Sequence, residues 1–416
     1  MARTRHRGVW TPDDRAASPY RYLPIDVPRG ADGLAVHLSY DRSRAVLDLG
    51  CFGPSGFRGW SGGAREEFVI TRDAATPGYL PGELEPGSWQ VVLGLYRVPE
   101  GGVEFELMAE TGAFRPPSSP PPPPRPERPP TRRLPAGPGR RWLAADLHTH
   151  TVHSDGALTV AELACLAASR GLDVLAVTDH NTVSHHTELP VVAAHTGIVL
   201  LPGQELTMDE GHANVFGDIG WIDFRTSADG WLTAVEARGG LLSINHPLAG
   251  DCAWRRAMSR PPPLAEVWHS TWFLSPGSAA PLEWWCAWNH AMVPVGGSDY
   301  HRPGSPLLPG FPTTWMECAG ESETDVLEAL RSGRVTLSIA PEGPVLLRTT
   351  EDELLVIGGE GAILIDPDGQ RLTVRTNWET RTADPGTYRL VSPHGLPLAL
   401  IPRGGWSRSP REARAP

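Results

Sequence analysis

His148-Thr-His150 and Asp299-Tyr-His301 each place two metal-ligating side chains two residues apart. In an extended strand, residues i and i+2 point to the same face, so each pair can reach one cation together. Imidazole nitrogens and carboxylate oxygens suit zinc, manganese or iron, whereas thiolates would narrow the choice. One His-x-His alone is a weak signal. Its weight here comes from three further groups, Thr178-Asp179-His180, Pro202-Gly-Gln-Glu205 and Asn245-His246-Pro247, each following a short apolar run.

The runs at 142–145, 174–177, 198–201, 241–244 and 292–295 read as buried strands. Helical segments lie between some of them. The clearest starts at the capping box Thr159-Val-Ala-Glu162 and stops at Arg170-Gly171, and another near 324–331 stops at Gly333. Buried strands alternating with helices imply parallel βα units in a barrel or an open sheet. In β/α barrels the catalytic groups gather at the C-terminal strand ends. All five predicted strands end in His or a carboxylate, which predicts a metal site at that end.

The rest of the 416-residue chain divides by composition. Residues 21–114 read as a β-sandwich, because Val36 and Leu38, and Val103, Phe105 and Leu107, alternate with polar neighbours. Residues 1–20 lack a usable period and are expected to be a loose tail. Residues 115–141 hold five consecutive prolines and seven arginines. They predict an extended linker of roughly 70–80 Å at full stretch. Residues 341–401 read as a small β-rich appendage with a hairpin at Asp366-Pro-Asp-Gly369, and 402–416 as a disordered tail.

All 37 basic side chains other than histidine are arginines, and lysine is absent. That excludes Schiff-base, P-loop, kinase and Ser-x-x-Lys chemistry, and a carboxylated-lysine metal bridge. The net charge of −11 falls mostly after residue 141, where 18 Arg stand against 32 acids, so duplex nucleic acid is not an expected partner. Five cysteines without a CxxC pair argue against a disulfide framework. No apolar leader or 18-residue apolar run is present. A cytoplasmic protein acting on a small molecule, away from membranes, is the expectation.

Asp-Leu-His148-Thr-His150-Thr-Val-His-Ser-Asp155-Gly, Thr-Asp-His180-Asn, Gly-Gln-Glu205, Asn-His246-Pro and Gly-Ser-Asp299-Tyr-His301 resemble, in order, the motifs of PHP (polymerase and histidinol phosphatase) metallohydrolases. They cover about residues 142–340. Gly59-Trp-Ser-Gly-Gly63 and Thr76-Pro-Gly-Tyr-Leu-Pro-Gly82 resemble the domain preceding the catalytic one in the CehA/McbA branch. The resemblance implies a distorted (β/α)7 barrel, two or three divalent metals at its mouth, and hydrolysis, most commonly of phosphate esters. The ligand set it implies falls on His148, His150, Asp155, His180, Glu205, His246, Asp299 and His301. His212 is the one histidine available for a further ligand expected between Glu205 and His246.

Two such cations would share a water of lowered pKa and hold the oxygens of an in-line displacement. Glu205 is the carboxylate expected to bridge them, since each oxygen can bind a different ion. Without lysine, arginine must meet a phosphate, and Arg302, then Arg255 and Arg256, are the candidates. Asp146 and Asp179 are expected to accept imidazole N–H groups behind the ligands. Trp268 and His269 are candidate pocket residues, within a tryptophan-rich stretch (Trp254, Trp268, Trp272, Trp284, Trp285, Trp288) that could form an aromatic wall. Gly59-Trp-Ser61-Gly-Gly63 matches the serine-hydrolase elbow literally, but an elbow needs a strand before it and a helix after it. Three functions follow: a phosphoesterase acting on a small phosphorylated compound such as a nucleotide, a carboxylic ester or carbamate hydrolase using the same metals, and a non-catalytic ligand-binding protein.

Overall fold

The computed structural model describes residues 2–403 apart from 119, 270–271, 274–278 and 289–290. Its first 111 residues run through β1 (Arg3–Trp10), α1 (Pro12–Ala17), β2 (Tyr20–Val27), β3 (Gly33–Tyr40), β4 (Val46–Gly53), β5 (Gly56–Gly62), β6 (Glu67–Thr71), β7 (Gly87–Arg97) and β8 (Val103–Thr111). Two antiparallel sheets result, ordered β1-β8-β3-β6 and β2-β7-β4-β5. Period-two alternation joins them into a sandwich. Val103, Phe105 and Leu107 of β8 and Val36 and Leu38 of β3 turn inward against Trp89, Val91 and Leu93 of β7.

The first twenty residues are ordered, which corrects the expected loose tail. β1 pairs with β8 along its whole length, Arg3 opposite Glu110 through Trp10 opposite Val103. It is an edge strand held by the backbone ladder, and its largely exposed side chains carry no hydrophobic period to read.

The second region contains β9 (Arg141–Asp146), α2 (Val160–Ser169), β10 (Val174–Val177), α3 (Leu189–Thr196), β11 (Val199–Met208), β12 (Gly211–Phe216), α4 (Ala228–Ala237), β13 (Leu241–Ile244), β14 (Leu264–Trp268), α5 (Ala280–Ala287), β15 (Val293–Gly296), β16 (Thr313–Cys318), α6 (Glu323–Arg331) and β17 (Val335–Ser338). α2 begins as its capping box dictates: Thr159 accepts from Glu162 N, and Glu162 accepts from Thr159 N. Gly171 then ends the run with a φ of 85°.

The sheet is mixed α/β but not all parallel, which corrects the expected succession of parallel βα units. β9, β10 and β11 are parallel, as are β13, β14 and β15. β12 is inserted antiparallel between β11 and β13, and β16 lies antiparallel to β9. All six residues of β12 are buried, so neither alternation nor a helical period marks it. No backbone ladder joins β15 to β16 or β9 among the described residues. Those ends meet instead through Thr314 Oγ1, bonded to Gly296 N and O, and an isolated bridge between Thr149 and Tyr300.

β18 (Val345–Thr350), β19 (Glu353–Ile357), β20 (Ile363–Ile365), β21 (Arg371–Thr373), β22 (Trp378–Thr382), β23 (Tyr388–Val391) and β24 (Pro397–Ile401) complete the described chain. The expected hairpin at 366–369 joins β20 to β21, with Gly369 at φ 83°. Within this β-rich segment, β24 pairs with β17 and continues the central sheet. Residues 404–416, most of the expected C-terminal tail, lie outside the described residues.

Residues 115–141 lack regular structure apart from the start of β9, as their prolines require. They are nevertheless strapped to the second region rather than freely extended. Arg128 binds Asp173 at 2.6 Å and the Gly197 and Leu172 carbonyls at 3.0 Å. His195 contacts the Pro123 carbonyl, and Arg132 those of Pro341 and Gly343. The sandwich docks on the same region through one shared apolar cluster that contains Trp60 and Val92 with Leu206, Val215 and Phe224. Phe57 stacks on Trp221 with centroids 4.2 Å apart. No helix among the described residues is long and apolar enough to cross a membrane, and no disulfide joins any of the five cysteines.

Candidate metal centre

The C-terminal strand ends converge on one cluster. His148 and His150 follow β9, His180 follows β10, Glu205 lies in β11 and His212 in β12, His246 follows β13, and Asp299 and His301 follow β15. Asp155 enters from the loop before α2, near the open side. Glu205 is the hub. Its Oε1 lies 3.3 Å from His148 Nε2, 3.2 Å from His212 Nδ1 and 3.3 Å from His246 Nε2, and its Oε2 lies 2.7 Å from His180 Nδ1. Asp299 Oδ1 stands 3.3 Å from His148 Nε2 and 3.0 Å from His150 Nε2. Asp155 Oδ1 lies 3.3 Å from His301 Nε2 and 3.6 Å from His180 Nε2.

Backbone strain helps to aim these side chains. Among the described residues, the non-glycine positions with positive φ are Asn181 (56°), His246 (25°) and Asp299 (53°), all at strand ends of the cluster. Such conformations persist only where surroundings over-determine them. Gly297 serves the same purpose, because a Cβ there would crowd the His148 side chain and lie 2.5 Å from Glu266 Oε1.

The chemistry of this donor set fits divalent cations. Ligand atoms fall into four overlapping groups, each within 4.8 Å: His150, Asp155, His180 and His301; His148, Glu205 and His246; His148, His150 and Asp299; and His180, Glu205 and His212. His148 Nε2, His150 Nε2 and Glu205 Oε2 are buried and face only other donor atoms of the cluster, none in hydrogen-bond geometry, a costly arrangement that an ion between them would relieve. Burial would raise the Glu205 and Asp299 carboxyls, but the imidazoles, His148 foremost, hold both well below the usual carboxylate range. Burial, aided by His301 and His180, lowers His150 to about 4, which leaves its ring neutral as a ligand must be.

The supporting residues differ from those expected. Asp146 takes no imidazole proton. It accepts the backbone N–H groups of His148, Ser298 and Gly310 at 3.1, 3.0 and 2.8 Å, tying the end of β9 to the loops after β15. Asp179 does meet an imidazole, at 3.2 Å, but it is that of His185 and not of a cluster residue. It also accepts from Thr151 and Ser154. The partner behind His148 is Glu266, in the middle of β14. Its only sequence signal was a lone carboxylate inside the apolar run 264–268.

Arg302 is exposed, in a bend beyond β15, and does not line the adjoining cavity. Arg255 and Arg256 are also absent from the lining; Arg256 stacks over Trp231. None of the six tryptophans lines the cavity beside the cluster, although Trp268 and Trp272 line a separate, smaller one. Trp268, Trp272 and Trp285 are buried in a core with Ile244, Val267 and Met292. His269 does reach the cluster, with Nε2 3.3 Å from Asp299 Oδ2. Ser61 lies within β5, bonds to Tyr79 Oη at 3.0 Å, and is followed by β6 with no helix, so the elbow geometry is missing.

The cluster opens on a cavity of about 730 Å³. Its opposite wall, unforeseen from the sequence, comes from the sandwich: Tyr20, Asp48, Trp60, Ser61 and Tyr96. The loop 76–82 locks that wall in place. Gly78 N donates to Ser184 Oγ at 3.0 Å, and Thr182 Oγ1 donates to Gly78 O at 2.8 Å.

Comparison with known proteins agrees with the position of this site. Residues 146–248 match the family model of the PHP domain. A stretch of 62 residues is 40% identical to a 5'-3' exoribonuclease of Haemophilus influenzae, covering 15% of this chain and 23% of that protein. A stretch of 70 residues is 41% identical to a 3',5'-nucleoside bisphosphate phosphatase of Chromobacterium violaceum, covering 17% and 25%. The chain thus spans about a quarter of the length of these curated relatives. A crystal structure from Bacteroides vulgatus, a two-domain protein described as containing a predicted PHP-like metal-dependent phosphoesterase, aligns with 67% of this chain and 92% of its own. Its identity is 18% and its TM-score 0.43.

Proposed function

We propose that this chain is a metal-dependent phosphoesterase that hydrolyses a small phosphorylated compound. The observation that carries the reading is the convergence of nine candidate ligand side chains, several with buried donor atoms that make no hydrogen bond, on one wall of a substrate-sized cavity. His148, His150, Asp155, His180, Glu205, His212, His246, Asp299 and His301 would hold two or three ions of zinc, manganese or iron. When bound, such ions lower the pKa of a shared water and neutralise charge on the phosphoryl oxygens. The chain's own part is to fix those ligands and exclude bulk water. Glu266 orients His148, Asn245 Nδ2 donates to Glu205 Oε1 at 2.9 Å, and the docked sandwich covers the mouth. The match to the PHP domain supports this reading, as does the phosphoester chemistry named for the two relatives. Placement of 59–63 and of the docked 76–82 loop around the cavity supports a CehA/McbA-like branch, with the sheet taken as a distorted barrel.

One observation favours the second reading, a carboxylic ester or carbamate hydrolase: no arginine lines the cavity, and the chain has no lysine. Metal analysis coupled to turnover of phosphate esters, aryl acetates and aryl carbamates separates the two. Chelator-sensitive phosphate release is expected. Turnover of acetates or carbamates with no phosphate ester would establish the second reading instead.

A further inference from the structure

Among the described residues the cavity lining carries carboxylates and aromatic rings but no arginine. Beyond the candidate metal ligands, its carboxylates are Asp48 on the sandwich wall and Asp209 and Glu210 in the turn between β11 and β12. Two of them already have arginine partners outside: Asp209 meets Arg15, and Glu210 lies 3.4 Å from Arg256. Asp48 has no arginine partner among the described residues. Its place is built into the sheet. Asp48 on β4 stands opposite Gly94 on β7, and a Cβ at 94 would lie 2.6 Å from Asp48 Oδ2, so only glycine leaves the carboxyl its space.

Burial and Asp209 push the Asp48 carboxyl up to about 7, against the pull of His180 and the Gly63 N–H. A carboxyl in that position has no arginine to balance it among the described residues. Tyr20, Trp60 and Tyr96 line the same cavity, and aromatic rings attract organic cations. A substrate carrying a second phosphate would set further negative charge against this wall without an arginine to receive it.

We propose that Asp48 is a specificity residue that selects an ester whose leaving alcohol carries an ammonium group and disfavours one bearing a second phosphate. The proposal rests on the phosphoesterase reading above. Hydrolysis itself is unaltered: water's oxygen bonds to phosphorus as the ester P–O bond breaks, and one water proton passes to the departing alcohol.

The test uses the metal-loaded full chain with 3-aminopropyl phosphate, butyl phosphate and propane-1,3-diol bisphosphate, scored by phosphate release. A kcat/KM ratio of about tenfold for the aminopropyl over the butyl ester is expected, with the bisphosphate slowest. Asp48→Asn should bring that ratio close to one, with metal content retained. Gly94→Ala, which displaces the same carboxyl, is the second variant should Asp48→Asn not fold. Calorimetric binding of 3-aminopropylphosphonate against butylphosphonate reads the same preference without turnover. Turnover of all three esters without charge preference, or a ratio unmoved in the folded variants, overturns the role of Asp48 and leaves the phosphoesterase reading standing. Absence of any ester turnover, with a binding preference that Asp48→Asn abolishes, overturns the phosphoesterase reading and keeps Asp48 as the residue that selects the ammonium.

Discussion

Glu266 Oε1 lies 3.0 Å from Nδ1 of His148, while its other oxygen accepts the His246 backbone N–H at 2.8 Å. One buried carboxylate therefore fixes the ring of one ligand and the backbone of another. Carboxylates behind metal-bound imidazoles set the tautomer and raise ligand basicity. Glu266→Gln is expected to weaken metal affinity by about 10–100-fold while leaving the fold intact. Metal titration of the chelated protein checks this, and unchanged affinity would remove Glu266 from the site.

Both Glu205 oxygens face imidazoles, five of them within 3.6 Å: His148, His150, His180, His212 and His246. Glu205→Gln keeps the volume but removes the charge that balances any ions held there. Hydrolysis should fall by more than about a hundredfold, because losing a ligand exceeds losing its support. Bound metal per chain should fall with it. Full metal content with wild-type turnover would be incompatible with a bridging position.

Arg302 is exposed and faces away from the cavity. Arg302→Ala should leave kcat/KM within about twofold, as for ordinary surface substitutions. A large rise in KM for phosphate esters alone would show that the side chain swings inward.

Gly78 has a φ of 100°, and a Cβ there would lie 2.8 Å from Trp60 O and 2.9 Å from His153 O. Both neighbours are backbone atoms with little room to move. Gly78→Ala should therefore destabilise the docked loop by about 1–3 kcal/mol. A lowered Tm and a raised KM, with metal content preserved, are the expected readouts.

His185 is buried, with Nε2 on the Val177 carbonyl and Nδ1 on Asp179. Burial depresses it from 6.5 to about 3, with Asp179 opposing. The ring is neutral when folded and protonates when unfolded, so the unfolded state binds the extra proton below pH 6.5. Stability present above that pH is then lost as pH falls towards 3, at up to about 1.4 kcal/mol per pH unit. Urea melts of the chelated protein at pH 7, 6 and 5 should show this slope, and His185→Gln should flatten it. Equal slopes would place its source elsewhere.

Much of the cluster was legible because strand ends and ligand spacing are local. A buried strand needs only its own short apolar run to be read, and His148, His150, His180, Glu205, His246, Asp299 and His301 come within a few residues after the runs at 142–145, 174–177, 198–201, 241–244 and 292–295. The α2 capping box was legible for the same reason. Asp146 and Asp179 are legible as acceptors behind the ligands but not for their partners: Asp146 meets Ser298 and Gly310 far along the chain, and the imidazole at Asp179 is that of His185.

What the sequence by itself determined is the set of donors, their order, and the absence of lysine. Tertiary structure alone decided the rest. Antiparallel β12 carries His212 to Glu205, a pairing of buried strands that leaves no periodic trace. Glu266 acts across two strands, and the positive φ of His246 and Asp299 depends on the packing around them. The sandwich became the second wall of the cavity because Phe57, Trp60 and Gly78 find complementary partners on another region. Complementarity between distant surfaces depends on shape, and shape exists only once both surfaces have folded.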